Sequence, residues 1–289
     1  MNLLERIQVY RINRRYIQYE ERELAKIPRI ACDPTRLRTI SAEEIRGIFS
    51  NPQTELDWAA SAGALSSHCS IADGTTSAVN PGDRRALYYL VRGLRPRRIL
   101  EIGTHVGAST AHIACALARE MNTLEAPALV SVDLEDVNAP DGPWKRLNVT
   151  HSPADMLNAL GCHGKVQFIP DKSPGFLQNP MYRYDMIFLD GSHAASVVYQ
   201  EIPLALAALN PNGIILLHDY YPNNKALWTA DRRIVPGPWT AVRRFVAEGV
   251  PIQVHPLGAL PWPTKLGSSV TSLAVLAKGA DGSDYPPAD

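Results

Sequence analysis

The sequence predicts a doubly wound α/β protein: a mostly parallel sheet of seven strands with helices on its faces. An antiparallel hairpin is expected at its C-terminal edge, and a helical extension at its N-terminus. Three observations predict this class. Short continuous apolar runs recur between residues 98 and 217, as in strands covered on both faces. Segments of helical spacing separate them, giving the rhythm βαβαβαβ. Two of the runs, DMIFLDGSHA (185–194) and IILLHDYY (214–221), stop abruptly in an acid and an imidazole. Ligands of such a sheet bind beyond the carboxyl ends of its strands, so those endings are candidates for chemistry.

Taken in order, residues 2–26 set Leu3, Leu4, Ile7, Val9, Ile12, Ile17 and Leu24 among many Arg and Glu. This is an amphipathic helix with an irregular apolar stripe, ended by Pro28. A second helix is expected after Ser41, with Glu44 as its capping-box partner. From 61 to 81 the chain is rich in Ser, Ala, Gly and Thr, the composition of a linker. The division is therefore placed near residue 80: 1–80 as a helical extension serving as dimer contact or lid, 81–289 as the main domain. Leu87, Leu90, Val91 and Leu94 mark a helix, RRILEIG a strand, residues 109–118 a helix, and ALVSVDL the second strand. Ser152-Pro153 opens a helix that Gly161 closes. KVQFI, DMIFLD and GIILLHD are the next three strands, and PIQVHPL with SLAVLAK the edge hairpin.

Composition narrows the function. The 289 residues carry 29 basic and 29 acidic side chains, so no cationic excess is available for nucleic acid. The longest apolar stretches, such as 204–209, are far too short for a membrane span. The N-terminus is charged from Glu5 onward and is not read as a secretory signal. Cys32, Cys69, Cys115 and Cys162 lie far apart without a CxxC pair, which fits free thiols and a cytoplasmic location. An amphipathic helix that needs burial favours a homo-dimer or higher oligomer.

Glu101-Ile-Gly103-Thr104-His-Val-Gly107-Ala-Ser109-Thr lies between the first strand and a helix. Glycines let the backbone approach a ligand, and the helix start offers free N–H groups. A pyrophosphate cradle would show G-x-G-x-x-G. This loop has Gly103 and Gly107 and an acid before them, which suits a cationic or hydroxyl-rich ligand instead. The second strand then ends in Asp133, placed to accept hydrogen bonds from ribose hydroxyls.

Together LEIGTHVGAST, VDL, DMIFLDGSH and LNPNGIILLHDYY resemble the successive motifs of class I S-adenosylmethionine (SAM)-dependent methyltransferases, over roughly residues 81–278. Within them the chain looks closest to small-molecule O-methyltransferases acting on natural-product sugars. The resemblance implies SAM as cofactor and a hydroxylated small molecule as acceptor. It places Glu101, Gly103, Thr104, Gly107 and Ser109 around the methionine and ribose, Asp133 on the ribose, Asp171 or Ser173 near adenine, and Asp190 beside the cofactor. It also implies that His193 of DGSH is the general base, with Asp190 as its catalytic neighbour.

A hydroxyl must lose its proton to attack a methyl donor, and histidine is tuned for that work near neutral pH. Asp190, Asp219 and His218 form a second candidate, a divalent-metal site for Mg²⁺ or another ion that would acidify the acceptor. His218 suits Mg²⁺ poorly and a transition ion better. His112 is read as helix packing, and Trp228, Trp239 and Trp262 as core. The Arg232-Arg233 and Arg243-Arg244 pairs are read as solvated faces. The competing function is a cofactor-binding partner subunit without turnover, or one associated with a hydroxylase.

Overall fold

The computed structural model describes residues 3–69, 78–119 and 126–279. Helix α1 spans Leu3–Ala25 and stops short of Pro28. Helix α2 spans Ala42–Phe49, where the Ser41 hydroxyl accepts the Glu44 N–H at 3.1 Å. The Glu44 carboxylate turns away to pair with Arg38, so only half of the expected capping box forms. The predicted linker is corrected over its first part. Helix α3 runs Pro52–His68, started by Asn51, whose side chain accepts from the Gln53 and Thr54 N–H groups. Asn-Pro is a helix-start signal that outweighs the small-residue composition after it. Residues 70–77 of that stretch lie outside the described residues.

Helix α4 (Pro81–Leu94) begins under an Asn80 cap and ends at Arg95 in the left-handed region, φ 52°. There follow β1 (Ile99–Ile102), α5 (Ala108–Ala118), β2 (Leu129–Asp133), α6 (Pro143–Arg146) and α7 (Pro153–Ala159). Then come β3 (Val166–Pro170), α8 (Ser173–Gln178), β4 (Tyr184–Leu189), α9 (Ala195–Ala208) and β5 (Leu209–Leu217). The chain closes with α10 (Gly237–Ala247), β6 (Ile252–Pro256) and β7 (Ala274–Lys278).

The sheet has the order β3-β2-β1-β4-β5-β7-β6. The first five strands are mutually parallel, and β7 runs antiparallel to both β5 and β6. The predicted class and the edge hairpin are therefore present. One strand departs from the expectation: β3 is an edge strand and only half-buried, so its apolar run is not covered on both faces.

Two cores sandwich the sheet. On one face α4 and α5 pack with Ile45, Ile48 and Phe49 of α2 and Leu65 of α3. On the other, α9 and α10 pack with Leu24 of α1. Segments before residue 80 thus fill the same two layers as the sheet helices. Trp228 and Trp262 are buried, as expected of core residues. Arg244 is not a solvated face. Its guanidinium donates to the carbonyls of Leu24 and Ile27, pairs with Glu248 and lies over the Tyr199 ring, tying α10 to the end of α1. Among the described residues no helix is long and apolar enough to cross a membrane.

Candidate active site

The strand order reverses at β1, which has β2 on one side and β4 on the other. The crevice of a doubly wound sheet opens at such a reversal. Here the loops leaving β1 and β4 touch through their backbones. Gly103 has φ +97°, and a Cβ there would lie 2.3 Å from the Asp190 carbonyl oxygen. Glycine is required both for that conformation and for that approach.

A cavity of about 680 Å³ opens beside this contact. The volume lies in the range of roughly 300–1,000 Å³ usual for small-molecule sites. Gly103, Thr104, Ser109 and Asp133 form one wall, Asp171 and Ser173 the next, and Asp190, His193, His218 and Asp219 the far side. Four aspartates outnumber Lys172 and the His218 imidazole across it. That balance favours a cationic ligand. Asp133 Oδ2 accepts the His105 N–H at 2.8 Å, which fixes the carboxylate at the end of β2. His105 lines the same wall, and burial pulls its pKa below the ordinary value despite Asp133.

Two of the expected cofactor contacts are placed differently. Glu101 is fully buried beneath the loop and lies off the cavity wall. Its Oε2 accepts from the Thr110 and Ser131 hydroxyls at 2.6 Å each, while Oε1 is buried without a hydrogen-bond partner. Burial pushes its pKa up to about 7, against the lowering effect of the nearby Ser109, Ser131 and Thr110 hydroxyls. Gly107 is likewise off the wall. Its φ of +78° starts α5, and a Cβ there would press on Pro153 at 2.8 Å. Glu101 and Gly107 shape the loop from behind: Glu101, within β1, turns towards Thr110 of α5 and Ser131 of β2, and Gly107 starts α5.

The far side is an acid–imidazole cluster. His218 Nδ1 stands 2.8 Å from Asp190 Oδ1, and Nε2 stands 3.4 Å from Asp83 Oδ2. Burial opposes a charge on His218, but Asp190 and Asp219 outweigh it and raise its pKa well above the ordinary value. Asp219 is pushed up by burial, yet His218 and His193 more than compensate and leave it lowered. Ser272 donates to Asp219 at 3.2 Å. His193 is the most accessible of the group, its side chain 31% exposed, with Nε2 3.5 Å from Asp219 Oδ2 and 3.9 Å from Asp190 Oδ1. The expected pairing is thus shifted: Asp219 is the nearer acid to His193, and Asp190 serves His218.

The metal expectation does not fit His218. Both of its ring nitrogens face carboxylates, so the imidazole is placed to bridge two acids and not to give a lone pair to a cation. Among the described residues no three His, Cys, Asp or Glu side chains are arranged to hold a metal ion. Sequence reasoning missed Asp83, which is buried, holds His218 from α4 and has an Oδ1 without a hydrogen-bond partner. Its only sequence trace is an acid in the first turn of a helix, which reads as an ordinary dipole partner.

Residues 100–220, the span from β1 to the end of β5, match a family model described as a methyltransferase domain. Comparison with curated proteins gives no match. Among solved structures, the chain is similar to an O-methyltransferase of Streptomyces achromogenes involved in tomaymycin synthesis, in complex with SAM. The identity is 18%, with 84% of this chain and all of that chain covered and a TM-score of 0.49. It is also similar to an O-methyltransferase of Bacillus cereus in complex with S-adenosylhomocysteine, at 16% identity, 83% and 100% coverage and a TM-score of 0.48. A third is a methyltransferase of Podospora anserina bound to S-adenosylhomocysteine, at 16% identity, 80% and 89% coverage and a TM-score of 0.46.

Proposed function

We propose that this methyltransferase takes a methyl group from SAM and places it on a hydroxyl of a small metabolite, with a natural-product sugar as the acceptor class that the motifs favour. One observation carries the reading: a single cavity joins the Gly103–Asp133 wall to the accessible imidazole of His193. SAM supplies an electrophilic methyl on a sulfonium, and its net positive charge matches an acid-lined pocket. Asp133 would hold the ribose, and Asp171 and Ser173 the adenine end. His193 would accept the acceptor's proton, and Asp219 at 3.5 Å would stabilise the imidazolium that forms. His218, held between Asp83 and Asp190, would keep those carboxylates in place without joining the proton transfer. The base is His193, and no metal step is invoked.

The test uses methyl-labelled SAM with a panel of glycosides and catechols. His193→Ala is expected to lower transfer by roughly 10²–10⁴-fold while calorimetry shows SAM binding retained. An unchanged rate removes His193 from the mechanism, and absence of SAM binding by the wild type removes the cofactor. Activity is expected to survive EDTA. Loss on chelation with recovery in Mg²⁺ would restore the metal reading.

A further inference from the structure

His193 sits in the short loop between β4 and α9, and that loop is gripped from two distant parts of the chain. At the start of α9, the N-cap Ala194 offers no capping side chain. The acceptor comes instead from α1: Glu20 Oε2 receives the Ala195 N–H at 2.6 Å, across 175 residues. Glu20 is 2% exposed although α1 is largely solvent-facing. Burial raises its pKa, and the bond from Ala195 works against that rise. The N-terminal half of α1 leaves Leu4, Tyr10 and Ile12 exposed, whereas Leu24 is in the core and Arg244 holds the carbonyls of Leu24 and Ile27. The buried carboxylate therefore belongs to the anchored half of the helix.

The second grip is Gly237, the first residue of α10. A Cβ at Gly237 would lie 1.8 Å from the His193 carbonyl oxygen and 2.8 Å from the Ala195 nitrogen. The backbone of residues 193–195 is thus pressed against α10 on one side and hydrogen-bonded to α1 on the other. A buried carboxylate spent on a single amide two residues from an accessible imidazole is poorly explained by stability alone, since burying it costs more than the bond returns. We propose that Glu20 is a positioning residue for His193: through the Ala195 amide it fixes where the imidazole enters the cavity. This makes the anchored half of the N-terminal helix part of the active site. It rests on His193 being the base only for its consequence in turnover, because the positional claim stands apart from that role.

The experiment reads position directly. In protein labelled at histidine, the His193 ring resonances are assigned by their loss in His193→Ala. Glu20→Ala is expected to shift the His193 resonances while leaving those of His255, on β6, unmoved. Exchange of the Ala195 amide should quicken by roughly tenfold or more. Glu20→Gln, whose amide oxygen can still accept, should bring both readouts back towards wild type. Glu20→Asp, one methylene shorter, should behave like Ala and serves if the Ala variant fails to fold. Unmoved His193 resonances in folded Ala and Asp variants would overturn the proposal, as would a Gln variant as perturbed as Ala. Turnover separates the two readings. If His193→Ala leaves methyl transfer intact, the base assignment fails while the positional claim is still judged by the resonances. If His193→Ala is inactive and Glu20 variants move nothing, only the positional claim fails.

Discussion

The two halves of the cavity are built in opposite ways. At the end of β1 the supporting residues come from nearby chain: Glu101 is held by Thr110 nine residues on and by Ser131 on the adjacent strand. At the ends of β4 and β5 the supports are far away. Asp83 reaches His218 across 135 residues, Glu20 reaches Ala195 across 175, and Ser272 reaches Asp219 across 53. The proposed cofactor wall is thus a local motif that a sheet and one helix can hold. The acid–imidazole side exists only once α1, α4 and the C-terminal hairpin have docked. Damage to the second side should therefore cost fold stability, whereas damage to the first should cost binding.

The largest effect is expected at His218. Replacing it with Ala leaves Asp83 buried, and Asp190 half-buried, without the imidazole between them. Removing one partner of a buried ion pair typically costs about 3–5 kcal/mol. Urea unfolding of His218→Ala should show a loss of that order. A loss below about 1 kcal/mol would mean that the cluster is well solvated and that the contrast between the two sides is misdrawn.

This asymmetry also explains what was legible in the sequence. The strands, the glycine loop, Asp133 and the DGSH ending could all be read because each is announced by residues next to it. Asp83 and Glu20 could not, because an acid in a helix resembles a solvated residue until the helix docks. The same limit explains α3, where Ser61 and its neighbours read as linker although Asn51-Pro52 had already begun a helix. It also explains β3, whose apolar run says nothing of its edge position. Glu101 lies beside the loop its motif marks but off the cavity wall: motif position is legible, side-chain direction near a strand end much less so.

A second expected effect qualifies the contrast, because a carboxyl behind the β1 loop also contributes to stability, in a pH-dependent way. Glu101 behind the cofactor loop and Glu201 in α9 are both pushed by burial to about 7, from an ordinary value of 4.5. Between those values the folded protein keeps protons that the unfolded chain has released. Stability contributed by each protonated carboxyl is complete below pH 4.5 and is lost as pH rises through 7. Each site should account for a fall of about 3 kcal/mol over that interval. Glu101→Gln and Glu201→Gln should each flatten part of the decline in unfolding free energy measured from pH 5 to pH 8. A decline unchanged in both variants would place the pH dependence elsewhere.

The smallest expected effect is the most specific, and it falls on the locally built side. Asp133→Asn keeps an oxygen for the His105 N–H but removes the charge that faces the cavity. Unfolding free energy should move by less than about 0.5 kcal/mol, as for substitutions outside buried networks. SAM affinity measured by calorimetry should weaken by roughly tenfold, the value of one charged hydrogen bond. At saturating SAM, turnover should be close to wild type, because His193 and its supports lie on the other side and do not touch Asp133. If Asp133→Asn instead lowered turnover at saturation and left affinity intact, the two sides would be acting as one unit. The division between a local binding wall and a long-range catalytic wall would then have to be abandoned.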